Sequence, residues 1–95
     1  MVRTSLRRIR FRVIGRVQGV GFRAHTQVQA RGLGLVGFVQ NRRDGAVEGE
    51  AEGPADRVAE FAQWLRSGPL WANVEHLEVE DRPVSGYEAD FEVRR

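Results

Sequence analysis

The sequence contains no cysteine and no lysine. The first absence excludes disulfides, thiolate nucleophiles and zinc–thiolate sites. The second excludes Schiff-base chemistry, a P-loop lysine and a lysine general base. Two histidines, His25 and His76, are too few for a histidine-rich metal site. No apolar run approaches the roughly 20 residues that a membrane span needs. The N-terminal stretch Met1 to Arg8 lacks the apolar block of a signal peptide. These absences lead to the expectation of a soluble, cytoplasmic protein. What remains is a chain of 95 residues, 41% hydrophobic and 29% charged, which is the length of one domain with one modest core.

All fifteen basic residues are arginine, and their placement matters more than the net charge of +2. Residues 1–43 hold ten arginines and no acid, whereas residues 44–95 hold thirteen acids and five arginines. An arginine-rich half suggests an anionic partner such as phosphate or nucleic acid. The competing expectation is that the two halves face each other across a sheet and pair. A GC-rich genome accounts for the missing lysine without any function.

Residues 1–6 read as a short N-terminal extension and residues 7–95 as a single domain. In Arg8 to Ile14, Ile9, Phe11 and Val13 alternate with Arg8, Arg10 and Arg12, the period of a half-buried strand. Leu35 to Asn41 is a β-type run, Asp44-Gly45 a hairpin turn, and Ala46 to Glu52 alternates with Glu48, Glu50 and Glu52 on one face. Strands carrying arginines and glutamates in this way pair well side by side. A helix is expected over 54–67, with Pro54 in its first position and Val58, Phe61, Ala62 and Leu65 on one face. A weaker helix spans about Phe22 to Arg31, with Phe22, Thr26, Ala30 and Leu33 sharing a face. Two further strands are expected near Val74–Glu80 and Tyr87–Arg94. The order is β-α-β-β-α-β with a short extra strand. That predicts an α+β, ferredoxin-like sandwich: an antiparallel sheet with two helices on one face.

Three segments carry candidate chemistry. Gly32, Gly34 and Gly37 match G-x-G-x-x-G, but they close a helix and enter a strand, the reverse of a dinucleotide fingerprint. The segment GRVQGVGFR, Gly15 to Arg23, follows a strand and opens a helix. Its three glycines let the backbone present N–H groups inward, a nest suited to phosphate. Arg23 lies in the first helical turn, where the helix dipole disfavours a cation. An anion between the two removes that conflict. A plain glycine-rich turn with a surface arginine explains the same letters. In GFVQNRRDG, Gly37 to Gly45, Asn41 ends a strand before the hairpin. Its amide both donates and accepts, which suits orienting a water; stabilising the turn is the plainer role. His25 lies about 200° around the helix from Arg23, so the two are not expected to converge. His76 reads as surface. Trp64 and Trp71 read as core or edge packing.

Together the second and third segments resemble the acylphosphatase family. Gly15, Val17, Gln18, Gly19, Val20, Phe22 and Arg23 match its glycine-rich signature. Gly37, Phe38, Val39, Asn41, Asp44 and Gly45 match its second, and the likeness runs over about residues 7–94. The resemblance implies a small hydrolase of carboxyl–phosphate mixed anhydrides. It implies that Arg23 anchors the phosphoryl group. The backbone N–H groups of Arg16, Val17, Gln18, Gly19, Val20, Gly21 and Phe22 then line the cradle, and Asn41 holds the nucleophilic water. No metal, cofactor or covalent intermediate is implied. The expected partner is a small acyl phosphate, with inorganic phosphate or sulfate able to occupy the same site. No nucleic-acid or membrane partner is expected, and a monomer is the default for this size. The alternatives are a non-catalytic phosphate-binding or carrier domain and an RNA-binding module. The second shares the β-α-β-β-α-β order, but the acidic face of Glu48, Glu50 and Glu52 repels RNA.

Overall fold

A computed structural model describes residues 5–95. Its elements are β1 (Leu6–Arg16), α1 (Phe22–Gly32), β2 (Val36–Asn41), β3 (Val47–Pro54), α2 (Ala55–Leu65), β4 (Asn73–Arg82) and β5 (Phe91–Arg94). They form one five-stranded sheet in the order β4-β1-β3-β2-β5, with both helices packed on it. The expected ferredoxin-like α+β arrangement is present. β1 starts earlier than expected: Leu6 pairs with Pro54, and the Ser5 carbonyl accepts from the Ala55 N–H at 2.8 Å. Residues 1–4 of the expected extension lie outside the described residues.

Alternation along β1 produces two faces with different chemistry. Ile9, Phe11 and Val13 are fully buried beneath the helices, with Val39, Val47, Ala51, Val58, Phe61, Leu65 and Phe91. Phe61 lies edge-on to both Phe11 (5.4 Å) and Phe91 (5.9 Å), so α2 is keyed to the first and last strands. On the other face, Arg8, Arg10 and Arg12 stand opposite Glu52, Glu50 and Glu48 in the β1–β3 ladder. Ion pairs join Arg8 to Glu50 and Glu52, Arg10 to Glu48, and Arg12 to Asp44 and Glu78. Arg7, Arg31 and Arg42 also find acids. The basic half of the sequence is therefore largely matched by the acidic half, as the pairing expectation had it.

The sheet is mixed rather than antiparallel. β5 runs parallel to β2, pairing Gly37 with Phe91 and Gln40 with Arg94. A parallel neighbour requires a crossover. Residues 83–90 supply it, carrying the chain from β4 at one edge to the opposite edge. On the way Ser85 and Glu88 bond to Arg8 on the face away from the helices. Three side chains of α1 at helical i, i+4, i+8 spacing then hold β5. Arg31 pairs with Asp90 (2.7 Å), Gln27 donates to the Phe91 carbonyl (2.9 Å), and Arg23 donates to the Arg94 carbonyl (2.9 Å).

The helix expected over 54–67 is shorter. Pro54 stays extended as its N-cap, and the Gly68 N–H closes the end on the Trp64 carbonyl at 2.8 Å. Trp64 packs against Phe61 and Phe22, as expected. Trp71 does not pack in the core or on an edge. It is 80% exposed at the tip of a turn in which the Ala72 N–H donates to the Pro69 carbonyl. Its φ of 77° is the sole positive value outside glycine among the described residues. That conformation costs an L-residue about 1–2 kcal/mol.

Candidate active site

The segment between β1 and α1 folds as a cradle because its backbone can bend where a side chain would obstruct it. β1 shifts register against β4 between Ile14 and Gly15, and a Cβ on Gly15 would collide with the Asn73 carbonyl. At the far end Gly21 adopts φ 73°, ψ 22° as the N-cap of α1. The helix start carries no side-chain cap and no acid in its first turn. Its first N–H groups are thus left without intrahelical partners and carry the positive end of the dipole. Val17 is fully buried and roots the loop in the core. The Gln18 side chain donates to the Arg42 carbonyl (2.7 Å) and the Ala46 carbonyl (3.0 Å), tying the cradle to the β2–β3 hairpin.

These elements enclose a cleft of about 210 Å³. It is lined by Val17, Gln18, Gly19, Gly21, Phe22, Arg23, Ala24, Asn41 and Val93. Residues 18 positions apart in sequence, Arg23 and Asn41, therefore line one cleft. Of the residues expected at the site, Arg16 and Val20 stand outside this lining. The Arg16 backbone is held in the β1–β4 ladder opposite Asn73, and Val20 packs towards the core. Ala24 and Val93 line the cleft without having been expected there. Val93 reaches it through the parallel pairing of β5 with β2, which its own sequence does not announce.

Arg23 differs from the arginines of the sheet. Its guanidinium donates through Nη1 to the Arg94 carbonyl. It lines the cleft and forms no ion pair among the described residues, so no carboxylate competes for its remaining donors. A guanidinium of this kind, beside uncapped helix N–H groups, is a receptor for a tetrahedral oxyanion. Asn41 closes β2 opposite Val47, half-buried in the cleft wall. The neighbouring Asp44 does not line the cleft. The Ala46 N–H, and then Arg42, hold its carboxyl below the ordinary carboxylate range. His25 is exposed and absent from the cleft lining, although its ring lies against Gly21 on the outside. His76 is exposed beside Glu78, as expected. Gly32, Gly34 and Gly37 end α1 and enter β2, so the G-x-G-x-x-G match opens no helix.

Comparison with known proteins identifies relatives along most of the chain. The family model described as acylphosphatase matches residues 9–93. The acylphosphatase of Rubrobacter xylanophilus is 49% identical over 88 residues, covering 93% of this chain and 80% of the relative. Acylphosphatase-1 of Gallus gallus is 42% identical, covering 96% of this chain and 95% of the relative. Among solved structures, an acylphosphatase from Coxiella burnetii superposes with a TM-score of 0.91 at 36% identity, covering 99% of this chain and 100% of that one.

Proposed function

The chain belongs to the acylphosphatase family, a hydrolase that splits an acyl phosphate into a carboxylate and phosphate, and from that premise we propose how its residues divide the reaction. Arg23 and the backbone N–H groups between Arg16 and Phe22 hold the phosphoryl oxygens. Asn41 holds the attacking water in line with the bond to the acyl oxygen. The observation that carries this reading is the shared cleft. The cleft's one arginine, with no carboxylate partner among the described residues, and its one asparagine line the same cleft as the uncapped helix start.

The chemistry fits so small a set of groups. The leaving group is a carboxylate, which departs without a proton, so no general acid is required. Phosphoryl transfer asks mainly for positioning and for stabilisation of charge on the equatorial oxygens. The cradle supplies both in a fixed geometry, which is where preorganised donors act most strongly. The water forms a bond to phosphorus as the phosphorus–acyl oxygen bond breaks. Its proton passes to a phosphoryl oxygen of the substrate, since no carboxylate or histidine lines the cleft.

Inorganic phosphate, a product, is taken to occupy the same cradle, and sulfate with it. The enzyme is read as a monomer. The edge strand β4 presents Glu75, Glu78, Glu80 and Asp81, charges that discourage strand-to-strand association. A cytoplasmic location is proposed with it; no helix among the described residues is long and apolar enough to cross a membrane. The deciding experiment is hydrolysis of benzoyl phosphate in EDTA by the wild type, Arg23→Ala and Asn41→Ala. Activity in the wild type, lost in both folded variants, supports the assignment. Full activity in either variant removes that residue from it.

A further inference from the structure

The cradle accounts for the phosphate half of the substrate and leaves the acyl half unassigned. The acyl carbon lies one oxygen away from the anchored phosphorus, so the acyl group has to leave the cleft across its rim. One side of that rim is charged. It is the β2–β3 hairpin, where Arg42 pairs with Asp44 at 3.1 Å beside exposed Arg43. The turn between α2 and β4 leaves the sheet at the same end.

That turn sits beside the cradle for two reasons. Asn73, which opens β4, pairs with Arg16, from which the cradle departs, so the two loops leave neighbouring strands at the same end of the sheet. Gly68 lies directly on the buried Phe22 ring, where a Cβ would come within 2.6 Å of it, and Phe22 opens α1 directly after the cradle. The tip of the turn is apolar and open, with Leu70 78% and Trp71 80% exposed. Its geometry sharpens the point. A turn closed from Ala72 to Pro69 with φ of 77° at its third residue is of type II, a position that glycine fills without strain. The chain instead holds its most exposed indole there, against the backbone preference of that position. A strained residue that contributes no packing points to a role outside the fold.

We propose that Leu70 and Trp71 form the subsite for the acyl group, and that they select apolar, aromatic acyl phosphates over the smallest aliphatic ones. The proposal rests on the reading of the cleft given above. The indole offers a flat apolar face to an aryl ring leaving the cradle, and Leu70 extends that surface. Acetyl phosphate is too short to use either.

The test compares benzoyl phosphate with acetyl phosphate as substrates of the full chain carrying Trp71→Gly, Leu70→Ser or, as control, Val28→Ser, an exposed apolar residue on α1. Trp71→Gly is expected to lower the ratio of kcat/KM for benzoyl over acetyl phosphate by about tenfold, chiefly through KM. Its melting temperature is expected to hold or rise, because glycine relaxes the turn. Leu70→Ser shifts the ratio the same way by less, and Val28→Ser leaves it in place. Equal losses on both substrates, or an unchanged ratio in Trp71→Gly, overturn the subsite while leaving the cradle standing. A folded wild type that hydrolyses neither substrate overturns the reading of the cleft and the subsite with it.

Discussion

The Arg23 guanidinium donates to the Arg94 carbonyl at 2.9 Å, across 71 positions of sequence. The residue assigned to phosphate is thus oriented by the backbone of the last strand rather than by a carboxylate. A carbonyl fixes the guanidinium without neutralising it, which leaves its full charge for the ligand. Removing Arg94 and Arg95 is expected to raise the inhibition constant of inorganic phosphate about tenfold, the loss of one hydrogen bond to a charged group. Titration of the truncated chain with phosphate checks this. An unchanged constant means that the carbonyl does not orient Arg23.

Arg23→Ala is expected to lower kcat/KM for benzoyl phosphate by at least about 10²–10³-fold, the usual loss for one preorganised donor to a transition-state oxyanion. Arg23→Lys is expected to recover little, since an ammonium cannot reach the Arg94 carbonyl and present a two-pronged face to phosphate together. Steady-state kinetics on folded variants decide it.

Asn41→Ala should depress kcat far more than it raises KM, because the ground-state contacts to phosphate survive. A normal kcat in this variant eliminates the water-holding role.

The rate should change with pH through the ionisation of the substrate's own phosphate, the group proposed to take the water's proton. A profile that is flat across that ionisation contradicts the proton route.

Acid stability is expected to depend on Arg8. It is buried against Glu50, Glu52 and Glu88 under the 83–90 crossover. The hydrogen bond from Arg8 holds the Glu88 carboxyl below its ordinary 4.5. Burial alone would raise Glu52, but the Ser85 N–H, Arg8 and the Gly86 N–H more than reverse it, so it too is lowered. Lowered carboxylates stabilise the fold at pH above their unfolded values, and the gain is lost as pH falls through the folded ones. The wild type should therefore weaken below about pH 4.5. Arg8→Ala should cost about 3–5 kcal/mol at pH 7, where three carboxylates are left without a counter-charge. That deficit should shrink on acidification. Denaturant melts at pH 7 and pH 4 test both signs.

What the sequence disclosed follows from which constraints are local. Alternation in Arg8 to Ile14 and Ala46 to Glu52 specified two strands and their charged faces, and the observed pairing of Arg8 with Glu52 is what those faces called for. The glycine-rich segment specified the cradle, because only its backbone pattern permits the bend at Gly15 and the left-handed turn at Gly21. The direction of β5 was not readable, since four residues of alternation do not say which neighbour they will join. The stripe Arg23, Gln27, Arg31 was the available signal for it: three polar donors on one helix face that need acceptors. Val93 entered the cleft by the same route and was missed with it. Trp71 was misread because apolar character is a statement about solvent, whereas its position was decided by a turn. The Arg16 side of the loop fell outside the cleft lining because its backbone is consumed by pairing with Asn73.

The clamp of α1 on β5 also sets the order in which the enzyme becomes competent. The cradle, Asn41 and the hairpin are all made within the first half of the chain, but the cleft lacks Val93 and Arg23 lacks its acceptor until the final strand arrives. Domains are synthesised from the N-terminus, and contacts between distant residues form late because the intervening loop has to close first. A chain in which β5 has not yet docked therefore carries every residue of both signatures and no finished site. The last contact to form is thus the one that joins the two signatures to the rest of the cleft.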